Sequence, residues 1–178
     1  MIKISYDINV YRDILNDTLK TTDTIVELGC HVGKSTELIA NKVINGKIIS
    51  IDNSPEAIDA MGNLSEEYDN LHFISGDVRI HNVLEEAVKL VSSCDVLSID
   101  LGGGYHPDTV FKVYYIWSSA LRPRDTIIRN RGLIDFVRSS KTYEEIESDN
   151  GWLKSCYGQG IPPQIKEFSL WTDKLNNK

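Results

Sequence analysis

Short apolar runs of strand length alternate with longer stretches of helical periodicity, and this alternation restricts the chain to one class of fold. Thr24–Leu28, Lys47–Asp52, Leu71–Ile74, Asp95–Asp100 and Thr126–Arg129 are rich in β-branched residues and bounded by polar ones, the mark of buried strands. Residues 8–20 place Ile8, Tyr11, Ile14, Leu15 and Leu19 at helical spacing. Residues 34–44 do the same with Thr36, Leu38, Ile39 and Val43, and Gly46 ends the stretch. Ser54-Pro55-Glu56 reads as a helix start, with Ser54 capping and Pro55 in the first turn. Two further helices are expected over 80–92 and 107–121. Beyond residue 132 the pattern predicts a helix over 139–156, a Gly/Pro loop around 158–163 and an edge strand at Gln164–Trp171. Strands separated by helices of this length run parallel, because each crossover returns the chain to the same edge of the sheet. The expectation is an α/β fold, a doubly wound and mostly parallel sheet of six or seven strands.

With 178 residues, the chain has room for one domain spanning 1–178. No apolar run reaches membrane-spanning length, and Met1–Tyr6 lacks the apolar core of a secretion signal, so the chain reads as cytoplasmic with no membrane partner. Cys30, Cys94 and Cys156 show neither paired nor zinc-ligand spacing and read as free thiols. The net charge of −7 argues against broad non-specific binding to nucleic acid. The charge is uneven, however: residues 122–141 carry Arg122, Arg124, Arg129, Arg131, Arg138 and Lys141 against only Asp125 and Asp135.

The turn after the first buried strand, Glu27-Leu28-Gly29-Cys30-His31-Val32-Gly33-Lys34-Ser35, carries the chemistry. It looks like a nucleotide phosphate loop, but that motif needs four residues between its glycines and here there are three. An acid at Glu27 would also face a polyphosphate. The dinucleotide fingerprint fails too, because His31 and Lys34 fill two of its glycine positions.

In doubly wound sheets, ligands bind at the carboxyl ends of the strands near the point where strand order reverses. Gly29 lets backbone approach a ligand with no Cβ in the way. Asp52, an acceptor-only carboxylate with two oxygens, suits the two hydroxyls of a ribose, and Asn53 follows it. Asp77, within Gly76-Asp77-Val78, can accept from an exocyclic amine. Ser35 and the N–H groups opening the next helix suit a carboxylate. Asp100 ends the fourth run.

Over residues 24–131 this ordered set resembles the class I S-adenosylmethionine-dependent methyltransferases. The loop at Glu27–Ser35 is most similar to the catechol and caffeoyl-CoA O-methyltransferase branch, where an aromatic stands at the position of His31. Ile51-Asp52-Asn53-Ser54-Pro55 resembles that branch's ribose-binding segment, and Leu97–Asp100 with Pro107-Asp108-Thr109 its fourth motif. The resemblance implies a Rossmann-like methyltransferase fold with strand order 3-2-1-4-5-7-6. It implies S-adenosylmethionine as cofactor, held by Glu27, Gly29, Cys30, His31, Gly33, Ser35, Asp52, Asn53, Gly76, Asp77, Val78 and Asp100. The branch's divalent metal rests on two Asp and one Asn. Here Asp100 and Asn130 match, but Arg129 stands at the remaining position, and a guanidinium ligates no metal. The branch's base lysine falls near Gly103 and is missing. The expectation is therefore a metal-independent enzyme.

Methyl transfer needs alignment more than acid–base help, since the sulfonium is already activated. Asp100 and His106 are the candidate bases, and Arg129 the candidate stand-in for the metal's charge, pairing with Asp100 or with an anionic acceptor. The reading favours a small, anionic acceptor. RNA held by the basic segment is the alternative, followed by a non-catalytic S-adenosylmethionine-binding protein and an NTP-binding protein. A homodimer completing the site is compatible with the sequence.

Overall fold

The computed structural model describes residues 1–145. Six strands form one sheet: β1 (Ile2–Ser5), β2 (Thr24–Leu28), β3 (Lys47–Asp52), β4 (Leu71–Ser75), β5 (Val96–Ile99) and β6 (Asp125–Arg129). Six helices connect and follow them: α1 (Ile8–Thr18), α2 (Lys34–Lys42), α3 (Pro55–Glu67), α4 (His81–Leu90), α5 (Pro107–Leu121) and α6 (Arg131–Ser139). A single 3-10 turn, Gly102–Gly104, precedes α5.

The strand order is β1-β6-β5-β2-β3-β4, with every neighbouring pair parallel. Alternate residues of each central strand feed opposite faces, as the two-residue pleat requires. Ile25, Ile48, Val96 and Ile127 pack under α1, α2 and α3. Val26, Ile49, Leu97 and Ile128 pack under α4, α5 and α6. Both faces are covered, which is why the strands read as continuous apolar runs. α5 is the most deeply embedded helix, and its Trp117 is fully buried and donates Nε1–H to the Val78 carbonyl at 2.9 Å. Among the described residues no helix is long and apolar enough to cross a membrane.

Order reverses between β2 and β5: the chain builds outward through β3 and β4 on one side, then through β5 and β6 on the other. The ladder runs one residue past several strand ends. Gly29 donates to the Ile51 carbonyl at 2.8 Å, Asp100 to that of Leu28 at 2.9 Å, Gly76 to that of Asp52 at 2.9 Å, and Asn130 to that of Ser5 at 2.8 Å. These bonds fix the heights at which the loops leave the sheet.

Three expectations need correction. β1 is absent from the sequence reading, because Ile2-Lys3-Ile4-Ser5 is short and half polar; it pairs with β6 from Ile2↔Thr126 to Ser5↔Arg129. With β5 on its other side, β6 has no free edge. β1 therefore holds the place that the strand order 3-2-1-4-5-7-6 gives to strand seven. α6 over Arg131–Ser139 is a helix the sequence reading did not place, and residues 140–145 of the stretch expected to be helical over 139–156 are not helical. Ser54 sits at the start of α3 but makes no capping bond; its hydroxyl has no partner. The rest of 139–156 and the strand at Gln164–Trp171 lie outside the described residues, as does Cys156. Cys30 and Cys94 are buried free thiols.

Candidate cofactor and active site

Three adjoining cavities form a trough across the carboxyl ends of β2, β3 and β5. A central cavity of about 480 Å³ is lined by Gly29, His31, Asp52, Ser54, Asp100 and Arg129 among others. It shares Asn53, Leu101 and Gly102 with a cavity of about 290 Å³ that ends at Gly76, Asp77, Val78 and Arg79. On the other side it shares Gly29, His31, Asp100 and Arg129 with one of about 190 Å³ that reaches Arg12, Lys34 and Ser35. The trough is long and segmented, a shape suited to an extended ligand.

The glycine turn shapes its floor. Gly29 has φ +90°, and a Cβ there would lie 2.1 Å from the Asp100 carbonyl oxygen. Only glycine fits between β2 and β5 at this point. His31 also takes a left-handed φ of 48°, and its N–H donates to Asp52 Oδ2 at 2.7 Å. Asp52 Oδ1 accepts from the Ser54 N–H at 2.8 Å. The carboxylate is thus held facing the central cavity with acceptor capacity left over. The unpartnered Ser54 hydroxyl lies on the wall of the same cavity. Gly33, also left-handed, starts α2.

Glu27 is positioned differently. It is 1% exposed and lines none of the three cavities. Its Oε2 accepts from the hydroxyls of Thr36 and Ser50, both at 2.7 Å. Burial pushes its carboxyl up to about 7, the two hydroxyls opposing this and the charges of Asp100 and Asp52 adding to it. Cys30 lies on the trough's third segment, and burial drives its thiol well above the ordinary range, so it is no nucleophile.

At the far end Asp77 is clasped by Arg79, whose Nη2 lies 2.6 Å from Oδ2 and whose Nε lies 2.9 Å from Oδ1. The Arg79 N–H also donates to Oδ1 at 2.9 Å. An adenine amine reaching Asp77 would share it with this arginine. Val78 is buried beneath, and Gly76 abuts Val83.

Asp100 and Arg129 meet where the central and third segments join. Arg129 Nη1 donates to Asp100 Oδ1 at 3.1 Å and Oδ2 at 3.3 Å, and its Nε donates to the Tyr6 carbonyl at 2.8 Å. Burial raises the Asp100 carboxyl, with Arg129 and then Arg12 working against it. The shift moves a candidate base toward neutral pH. His106, exposed and left-handed at φ 56°, starts α5 and lines the Asp77 end rather than the Asp100 centre. Asn130, fully buried, engages both ends of its amide internally: Nδ2 donates to the Tyr105 carbonyl at 2.8 Å and Oδ1 accepts from Leu133 N–H at 2.9 Å. Among the described residues no three His, Cys, Asp or Glu side chains converge as a metal site would need.

The sequence reading missed three residues here. Arg12, on α1, donates Nε–H to Ser35 Oγ at 3.2 Å and places a cation at the trough's third segment. Tyr6 and Tyr105 share a hydroxyl–hydroxyl bond of 2.8 Å beside Arg129. Arg12 and Tyr6 come from the first 12 residues, and no local spacing ties them to a site built more than 15 residues later.

Residues 25–112 match a family described as a methyltransferase domain. No curated protein matches the chain in sequence. Among solved structures, the chain is similar to an rRNA methylase of Streptococcus thermophilus, at 15% identity and TM-score 0.53, over 79% of this chain and 88% of that one. It is similar to a candidate rRNA methylase of Clostridium thermocellum, at 19% identity and TM-score 0.53, over 67% and 65%. It is also similar to the fibrillarin of Aeropyrum pernix with natively bound S-adenosylmethionine, at 19% identity and TM-score 0.51, over 64% and 48%. The chain thus spans about half the length of that fibrillarin and about two thirds of the Clostridium protein. The trough could hold this cofactor in three parts, with the ribose at the Gly29 gap and Asp52, the base along the Asn53–Val78 segment and the amino-acid end at the Arg12–Ser35 segment. Residues 25–112 thus match a methyltransferase-domain family, and the chain has the fold of the class I S-adenosylmethionine-dependent methyltransferases.

Proposed function

We propose that the chain binds S-adenosylmethionine along the trough and methylates RNA without a metal ion. The observation that carries the reading is the trough itself, continuous from Arg12 to Asp77 across the reversal point and closed to any residue but glycine at position 29. When bound, the cofactor supplies a methyl group already activated by its sulfonium. The chain's own task is then to hold and align. Asp52 takes the ribose hydroxyls; Ser35, Arg12 and the first N–H groups of α2 take the carboxylate. Asp100, kept in place by Arg129, accepts a proton or hydrogen bond from the acceptor. Arg129 supplies the positive charge that the catechol-type branch takes from a metal.

The sequence alone puts a small anionic acceptor first and RNA second. Two structures of similar fold are named as rRNA methylases, which supports reversing that order. The rim supports it too: Arg12, Lys34, Arg129 and Arg131 gather on this side of an acidic chain.

The test is calorimetry with S-adenosylmethionine, S-adenosylhomocysteine, ATP and NAD, followed by transfer of a labelled methyl group to total RNA and to a small-molecule extract. Binding of the first two ligands only, with label in RNA, is expected. Failure to bind either would sink the cofactor reading. Label confined to the small-molecule fraction would restore the other acceptor class.

A further inference from the structure

Above the Asp100–Arg129 pair, two loops far apart in sequence are tied together by aromatic rings. Tyr6 follows β1 and Tyr105 follows the Gly102–Gly104 turn. Their rings meet edge to face, with centroids 5.9 Å apart and planes at 74°, and their hydroxyls bond at 2.8 Å. Tyr105 is 50% exposed, so a large aromatic surface stays open to solvent beside the Asp100–Arg129 pair. Two guanidiniums flank Tyr6, that of Arg129 at 5.8 Å and that of Arg131 at 5.9 Å from the ring centre.

The backbone around the pair is held to close tolerances. A Cβ on Gly104 would lie 3.1 Å from the Tyr6 ring and 3.6 Å from Arg129 Cγ. Gly102, Gly103, Gly104 and His106 all take left-handed φ values. The Tyr105 carbonyl is gripped by the buried amide of Asn130, and the Tyr6 carbonyl by Arg129 Nε. The same arginine therefore fixes both the platform's backbone and the carboxylate at the reaction centre.

We infer that Tyr105, braced by the Tyr6 ring that Arg131 flanks, is the stacking platform for a nucleobase of single-stranded RNA at or next to the methylated nucleotide. The inference rests on the RNA reading above and adds the recognition element. A planar base stacks on an aromatic ring irrespective of its identity, and an adjacent guanidinium serves the phosphate or a second face of the base. A double helix keeps its bases stacked on each other and could offer one to such a platform only by extruding it, at the cost of unpairing and unstacking it.

The test compares a fluorescent 12-nucleotide single-stranded RNA with the same strand bearing abasic riboses at its four central positions. Binding to the full chain is followed by anisotropy at fixed salt. The wild type is expected to prefer the base-bearing strand by about tenfold or more. Tyr105→Ala is expected to abolish the preference, while Tyr105→Phe, which keeps the ring, retains most of it. Tyr105 is exposed, so its variants fold; an unchanged Kd for S-adenosylmethionine checks this. Equal wild-type affinity for both strands, or a preference surviving in Tyr105→Ala, would overturn the platform and leave the RNA reading standing. Binding to neither strand at low salt would overturn both.

Discussion

Glu27 shows how one residue's environment changes its physics. It occupies the motif position where an acid meets the cofactor's surroundings, yet it is buried against Thr36 and Ser50 with its carboxyl raised to about 7. The folded protein keeps that proton in a pH range where the unfolded chain has lost it. Stability is therefore full below the ordinary glutamate value, falls as pH rises toward 7, and is level above. The fall amounts to about 3 kcal/mol for a shift of this size. Glu27→Gln keeps acceptors for both hydroxyls and removes the titration. Urea unfolding at pH 5 and pH 8 is expected to show the wild type losing stability between them and the variant losing much less. Arg129 is the other decisive residue. Arg129→Ala is expected to lower kcat by about 100-fold, the usual loss on removing one charge-stabilising donor. The Kd for S-adenosylmethionine should move little. Arg129→Lys should restore little of the rate, because one ammonium cannot reach the Tyr6 carbonyl and both Asp100 oxygens together. Full activity in either variant would rule out the metal-replacement role.

Elements are joined at the opposite end of the sheet by one arginine. Arg124 precedes β6 and donates from Nη1 and Nη2 to the two oxygens of Asp23 at 3.0 and 2.9 Å, and from Nε to Asp125 at 2.9 Å; Asp95 lies 3.6 Å away. It thereby clamps the entries of β2, β5 and β6. Asp23 is 3% exposed, and although burial alone would raise its carboxyl, Arg124 and the Lys20 N–H hold it below the usual range. Arg124→Ala would leave that carboxylate buried without its partner, at a cost of about 2 kcal/mol once the arginine's own partial exposure is allowed for. A fall in the urea midpoint with an unchanged m-value is the expected result. An unchanged midpoint would mean that water replaces the guanidinium at no cost. β1 depends on the same region: its strand partner is β6, and the Met1 ammonium lies 3.5 Å from Asp125.

At the scale of the whole molecule, a chain of net charge −7 would bind RNA, as proposed above, only through a local field. With Lys34 and Arg131 as the contacts, log K for single-stranded RNA should fall with log salt at a slope of about −1.4, at roughly 0.7 per phosphate. Lys34→Glu should flatten it, and a slope near zero would exclude phosphate contacts on this rim. The sequence by itself determined the parallel sheet, its two covered faces and the strand ends at Gly29, Asp52, Gly76 and Asp100, because hydrophobic period, glycine placement and strand-terminal acids are local properties. It showed Arg129 at a metal position, with Asp100 or an anionic acceptor as its partner, and the fold pairs it with Asp100. Tertiary structure alone decided that β1 stands beside β6, that Glu27 turns inward, and that Tyr6 joins Tyr105 over the Asp100–Arg129 pair. Each of these depends on which side chain fills a space opened by another element, up to 123 residues away for Arg129 and Tyr6. No periodicity along a chain records a distance of that kind.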